Sequence, residues 1–207
     1  MSLILRCVIV SVMAYLMGSV SVGILLSKAA GGPDLHTVGS GSTGATNVQR
    51  AMGWKYGLMT LFGDGLKGIL ACWIGSLIVP EPLVIPLGAV LAGLFVTIGH
   101  NWPLFFRFQG GKGVATSAGI MLYCFPVPAL ICIALTIALI AAIRYVSVGS
   151  MFMVTSYALI VTFFYSQGNP WLIVWVWALA LMCIIRHHAN IKRLIHHQEN
   201  RLGKKAK

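Results

Sequence analysis

The chain has 207 residues, 58% of them hydrophobic and only 9% charged, with a mean hydropathy of +0.87. So little polar surface excludes an ordinary soluble domain and indicates an all-α polytopic integral membrane protein. Fifteen Lys and Arg stand against four acids, Asp34, Asp64, Glu81 and Glu199, for a net charge of +11. So few acids argue against two-metal chemistry or a glycosidase-type carboxylate pair, both of which need clustered carboxylates. The basic excess suits anionic headgroups or an anionic substrate and is no signal for nucleic acid.

Seven apolar segments follow in chain order, at about 3–27, 56–79, 83–99, 114–125, 127–143, 148–165 and 170–186. The first is read as a retained span, because cleaving it as a signal peptide would leave the motif-rich loop behind it unsupported. The fourth, about 12 residues at 1.5 Å each, cannot cross a ~30 Å core alone. Either it pairs with the fifth across Pro126 and Pro128, or the loop before it dips into the membrane. A five- or six-helix count competes with seven. The connections 28–55, 100–113, 144–147 and 186–207 hold every Lys and Arg except Arg6 and Lys67. By the positive-inside rule they are cytoplasmic, with the N-terminus outside and the C-terminus inside. Arg6, on the outer side, is discordant. The five cysteines lie in or beside apolar stretches without a CxxC and read as packing residues. The chain is expected to form one transmembrane unit over 1–207, its basic tail (186–207) lying as a surface helix on anionic lipid.

Four polar stations occupy the cationic connections. The first is GSGSTGATN, Gly39 to Asn47, followed by Arg50. Its glycines permit positive φ, while Ser40, Thr46 and Asn47 supply short polar partners. Arg50 adds a planar fork suited to two phosphate oxygens. A flexible connector with an interfacial arginine is the competing reading. The second is Gly110-Gly111-Lys112-Gly113, which opens an apolar helix. Backbone N–H groups at a positive helix end, beside a lysine, suit phosphate. This is not a Walker A loop, since Gly113 stands where Ser or Thr would hold Mg²⁺. Phosphate binding is therefore expected with no nucleotide, metal or other cofactor. His100, at the start of that loop, reads equally as structural or catalytic, and Phe105, Phe106 and Phe108 as loop anchors.

The third station is the short turn from Arg144 to Ser150, containing Ser147; its interest comes only from sharing a face with the others. The fourth runs from Arg186 to Arg193 and places His187 and Asn190 three apart on one face of a continuing helix. Adjacent His187 and His188 point apart and lack a carboxylate, so a metal pair is not expected. Deep in the second span, Asp64 and Lys67 are also i, i+3. Alone, each would cost ~2.5–3.5 kcal/mol at the bilayer centre. Mutual pairing that holds the neighbouring loops is expected, with a proton relay as the alternative.

In this order the stations resemble the bacterial acyl-phosphate:glycerol-3-phosphate acyltransferases, the PlsY family, over nearly the whole chain. The resemblance rests on GSGSTGATN with Arg50, Asp64–Lys67–Gly68, GHNWPLFFRFQGGKGVAT (Gly99 to Thr116) and RHHANIKRL from Arg186. Ser42-Thr43 departs from the family pattern of Asn followed by Pro or a similar residue, and the third station is loosely matched around Val146. The resemblance implies seven transmembrane helices and an active site at the cytoplasmic surface of the bacterial inner membrane. It implies acyl transfer from acyl phosphate to glycerol 3-phosphate, the first acylation of phospholipid synthesis. Ser40, Arg50, Lys112, Ser147, His187 and Asn190 would be the functional residues by matching position. The partners implied are glycerol 3-phosphate, acyl phosphate and membrane lipids, with transient contact to a soluble acyl-phosphate synthase left open.

An acyl phosphate is a mixed anhydride, so its leaving group departs readily and no acyl-enzyme is required. No Asp lies five residues after any His, which removes a His–Asp base of the acyl-CoA-dependent kind. A substrate phosphate oxygen is then expected to take the proton, the protein acting by orientation and charge neutralisation. Arg50 and Lys112, with N–H groups of Gly110, Gly111 and Gly113, would hold the phosphates. Ser40, Ser147 and Asn190 would orient hydroxyl and carbonyl oxygens, and His187 would donate a hydrogen bond or act as acid or base. The rival is a carrier for phosphate-like anions; carriers place such groups near the midplane of inverted repeats, whereas these gather on one face.

Overall fold

A segment in hydrocarbon must satisfy its own backbone groups, and helix is the open-chain way to do so. The computed structural model describes residues 1–203, whose regular structure is helical apart from an isolated Pro82–Pro86 bridge. The first apolar segment forms α1 (Leu3–Ser19) and α2 (Val22–Ala29), broken at Val20 and Ser21. The first station leads into the short α3 (Ala45–Met52), followed by α4 (Trp54–Ile78) and α5 (Leu87–Asn101). Next come α6 (Val114–Cys124), α7 (Pro126–Ile143) and α8 (Val146–Ile160), which runs on through a π turn over Val161–Tyr165. The last elements are α9 (Pro170–Arg186) and α10 (His188–Ile195).

All seven apolar segments are thus helical. Leu3–Ala29, Trp54–Ile78, Leu87–Phe106, Pro126–Ile143 and Val146–Tyr165 are long and apolar enough to cross a membrane. Pro170–Arg186 makes a sixth when taken with His188–Ile195, from which it is bent by 57°. The short α6 rises only about 17 Å. It stops where Pro126, lacking an N–H, opens α7 directly behind it.

Helix α5 is central, packed on α1, α4, α6 and α9. Lipid gives little hydrophobic drive between helices, so close backbone approach supplies the packing. A Cβ at Gly18 or Gly99 would overlap backbone across the α1–α5 contact, and one at Gly119 would overlap Gly65 of α4. Phe62, Leu77, Phe163, Phe164 and Trp171 project outward, the inverted surface that hydrocarbon solvates. Arg6 forms an ion pair with Glu81 and donates to Ile78 O at 3.2 Å, at the end of α4 remote from α3. Its discordant charge is therefore neutralised where it stands.

Asp64 and Lys67 lie 2.9 Å apart, buried at the junction of α4 with α1 and α5. The break after α1 leaves carbonyls without helical partners, and Lys67 Nζ donates to Gly18 O (3.1 Å) and Val20 O (2.9 Å). It also meets His100 Nδ1 at 2.9 Å. Because an ammonium only donates, that imidazole nitrogen accepts. His100 is thereby tied to the buried Asp64–Lys67 pair.

Of the surface helix expected for the tail, α10 (His188–Ile195) forms, set at 57° to α9, and the described chain beyond it does not continue as helix. The helix bends at His187 (φ −94°, ψ 7°), and the chain beyond α10 folds back onto the turn between α7 and α8. There Leu202 N donates to Arg144 O (2.7 Å) and Arg144 Nη2 to Leu202 O (3.0 Å). Lys204, Lys205 and Lys207, counted above among the cytoplasmic cations, lie outside the described residues.

Candidate active site

Four connections meet at one end of the bundle. In the first, Ser42 Oγ accepts from Gly44 N (3.3 Å) and helps turn the chain into α3. Asn47 is buried with both amide donors used. Its Oδ1 accepts from Ser40 N (2.8 Å), while Nδ2 donates to Leu35 O (3.2 Å) and Val38 O (3.1 Å). The expected phosphate ligand here clamps the loop, because two backbone carbonyls already hold the N–H groups a phosphate would need. Ser40 and Thr46 are half-buried beside it. Arg50, one turn further along α3, points its guanidinium at the tail and donates from Nη2 to Asn200 O (3.3 Å).

The glycines of the second station are needed for fit. Gly111 N donates to His100 O (3.0 Å), and a Cβ there would fall on the His100 imidazole. A Cβ on Gly110 would meet the His100 carbonyl and lie 2.6 Å from Pro103. Gly113 adopts a left-handed φ of 78° beside Asn101. Arg186 fastens the loop from the opposite side, Nε donating to Gly111 O (2.9 Å) and Nη2 to Gly110 O (3.1 Å), with its guanidinium over Trp102. The Gly111 N–H is thus not free for a phosphate, as had been expected of it. The loop instead acts as the platform that presents Lys112.

Lys112, Ser147 and Asn190 do come together, around a residue that sequence reasoning left aside. Lys112 Nζ donates to Asn190 Oδ1 (2.6 Å), and Asn190 Nδ2 to Glu199 Oε1 (2.7 Å). Ser147 Oγ donates to the same Glu199 oxygen (2.9 Å), and Arg193 Nε to Oε2 (2.8 Å). Burial alone would raise the Glu199 pKa, but the Asn190, Arg193 and Ser147 donors together hold it below the usual carboxylate range. Burial pushes Lys112 down to about 8; Glu199 opposes that shift, while Arg193 and Arg50 add to it. Burial also lowers Arg50, against the same Glu199 charge.

His187, at the bend between α9 and α10, is buried beside the cluster. Its Nδ1 lies 2.8 Å from Cys183 O. A carbonyl only accepts, so Nδ1 carries the proton and Nε2 keeps a lone pair. Burial, then the Lys112 charge, push its pKa down to about 4, leaving the ring neutral. With the ring neutral and Nδ1 committed to Cys183 O, Nε2 accepts a hydrogen bond, against the donation expected of His187. Ser40 and Thr46 make no hydrogen bond into the cluster among the described residues. An open groove of about 610 Å³ lies elsewhere, between the end of α2 and the loop carrying Phe105, Phe106 and Arg107.

Such a converging set of cations, hydroxyl, amide and neutral imidazole suits phosphate esters. A family model described as glycerol-3-phosphate acyltransferase matches residues 8–197. The chain belongs to the glycerol-3-phosphate acyltransferase family. It is 36% identical to a glycerol-3-phosphate acyltransferase of Thermoanaerobacter pseudethanolicus over 198 residues, 96% of each chain. It is 40% identical to one from Syntrophotalea carbinolica over 188 residues, 91% of this chain and 93% of that one. Crystal structures of PlsY, an integral membrane glycerol 3-phosphate acyltransferase, are also similar. The glycerol 3-phosphate form aligns with a TM-score of 0.85 at 34% identity, covering 95% of this chain and 96% of that one. The lysophosphatidic acid form aligns with a TM-score of 0.81 at 33% identity, covering 95% of both. This acyltransferase is therefore a multi-pass membrane enzyme, as composition and helix pattern indicate.

Of the residues that hold this cluster together, Arg186 and Arg193 bounded the fourth station without a role of their own, and Glu199 lay outside every station. A lone acid within a tail crowded with Lys, Arg and His was the available signal for Glu199. Nothing in the spacing of Arg186 reveals that it grips two loop carbonyls across the fold.

Proposed function

We propose that this acyltransferase moves a fatty acyl group from acyl phosphate to the 1-hydroxyl of glycerol 3-phosphate, releasing lysophosphatidic acid and inorganic phosphate. The reaction uses no metal and no acyl-enzyme, and takes place at the cytoplasmic face of a bacterial inner membrane. The meeting of four side chains around Glu199 carries this reading: Ser147 and Asn190 bond to its carboxylate, Lys112 bonds to Asn190, and Arg50 reaches the adjoining Asn200 carbonyl. A site already organised around a carboxylate has the charge and donors that a phosphate or a developing oxyanion requires.

In the reaction the hydroxyl oxygen bonds to the acyl carbon as the carbon–oxygen bond to phosphate breaks, and the leaving phosphate keeps the electron pair. The hydroxyl proton must then find an acceptor. A phosphate oxygen, with a second pKa of about 6, outcompetes an imidazole lowered to about 4. The phosphate takes the single proton of the attacking hydroxyl, while the lone pairs of His187 Nε2 and the Ser147 oxygen place the substrate through its other hydroxyl. Arg50 and Lys112 neutralise the phosphates, and Ser40 lines the rim.

The test is a donor assay on purified enzyme with radiolabelled glycerol 3-phosphate. Label should enter lysophosphatidic acid with acyl phosphate, not with acyl-CoA, acyl-carrier protein or no donor, and EDTA should change nothing. Transfer from acyl-CoA alone, loss of activity with chelator, or a trapped acylated side chain would overturn the reading.

A further inference from the structure

Glu199 lies outside every motif that carries the family resemblance, yet its side chain is only 3% exposed and bonds to three site residues. Such a carboxylate in a site built for anions needs a reason to be there. A second phosphate-like charge beside it would be repelled unless its own charge were already matched, and Arg193 Nε matches it at 2.8 Å.

We propose that Glu199 is a positioning residue of the acyl transfer, setting the amide of Asn190 and the hydroxyl of Ser147 and supplying the fixed counter-charge to Lys112. The inference rests on the reading of the site given above. Its geometric basis is polarity. An Asn amide can present either end, but here Lys112 donates to Oδ1 at 2.6 Å while Glu199 accepts from Nδ2 at 2.7 Å. Flipping the amide would set donor against donor at Lys112 and acceptor against acceptor at Glu199, so both neighbours enforce one orientation. The Ser147 proton is likewise committed to Oε1, which turns the oxygen's lone pairs towards whatever enters. Ser147 therefore receives a substrate hydroxyl and does not donate to a carbonyl.

The counter-charge acts on the amine. Lys112 faces Arg50 from α3, Arg193 and Asn190 from α10, Cys183 from α9, His187 at the bend and Glu199 from the tail. Glu199 is the carboxylate among these groups and opposes the loss of the Lys112 proton. Asp64 and Glu81 are engaged with Lys67 and Arg6 elsewhere in the fold.

The experiment compares wild type, Glu199→Gln and Glu199→Asp in the full-length enzyme. Turnover is followed against pH, and Lys112 is titrated directly by NMR after ¹³C-methylation, its signal assigned by its absence in Lys112→Arg. Glu199→Gln should lower kcat by up to about 100-fold, the scale of a misplaced catalytic group. It should also move both the alkaline limb and the Lys112 titration to lower pH. Glu199→Asp, which keeps the charge, should restore the titration and part of the rate. A Lys112 titration unchanged in Glu199→Gln overturns the proposal, with or without loss of rate. So does a rise in kcat with a lower KM for glycerol 3-phosphate, the signature of a tail that merely plugs the site. The NMR arm needs no acyl donor, so a wild-type enzyme that failed to use acyl phosphate would sink the donor assignment alone.

Discussion

Lys112 stands on a platform of glycines that Arg186 holds from one side and His100 fills from the other, so its amine enters the cluster on a short tether. A buried ammonium loses solvation, and the Lys112 pKa falls to about 8. The protonated form is the one that meets phosphate, which fixes the sign. The kcat/KM of the wild-type enzyme should fall as pH rises through about 8, and a rate flat across that range would refute the role. Lys112→Ala should abolish the limb and lower kcat/KM by about 10²–10³-fold, the usual cost of removing a preorganised donor. The polar stations and the family resemblance named Arg50, Lys112, Ser147, His187 and Asn190, and the fold brings all five to one end of the bundle. Asn47 and Gly111 meet backbone partners where phosphate contacts were expected, for one physical reason. A sequence shows which atoms a residue offers but not which backbone partner already holds them, and here Leu35, Val38, Ser40 and His100 do.

At the scale of elements, the interrupted first helix explains the buried charges of α4. Lys67 serves the carbonyls left open between α1 and α2, and Asp64 balances the ammonium. Pairing at i, i+3 was readable from helical spacing; the need for it was not, because the break at Val20 and Ser21 appears only in three dimensions. Asp64→Asn leaves the Lys67 charge without its counter-ion and should destabilise the fold by about 3–5 kcal/mol. Removing both charges, as in Asp64→Asn with Lys67→Met, should cost clearly less than the single change. Thermal unfolding in detergent measures both. A double variant as unstable as the sum of its parts would mean that the two residues act separately. The bend at His187 was also hidden from the spacing. A periodic pattern continued through it, whereas the ion pair of Arg193 with Glu199 fastens α10 and the chain after it over the site.

For the molecule as a whole, the polar connections impose a parity. If the loops before α3, before α6, before α8 and after α9 share one face, an even number of crossings must separate each from the next. The pairs α4–α5, α6–α7 and α8–α9 meet that condition, and the first segment adds one more crossing. We therefore propose seven passes, with α6 as a short one completed by its neighbours, and termini on opposite sides. Arg6 and Glu81 mark the far face, and the cationic connections mark the face that the positive-inside rule makes cytoplasmic. Single cysteines in a cysteine-free background put this to the test. Gln109→Cys, exposed just before the second station, should react with an impermeant thiol reagent only from the cytoplasmic side. Gln167→Cys, in the exposed turn between α8 and α9, should react only from outside. Labelling of both from the same side would break the parity. It would also set the α8–α9 turn on the same face as the Lys112 cluster, against the seven-pass arrangement.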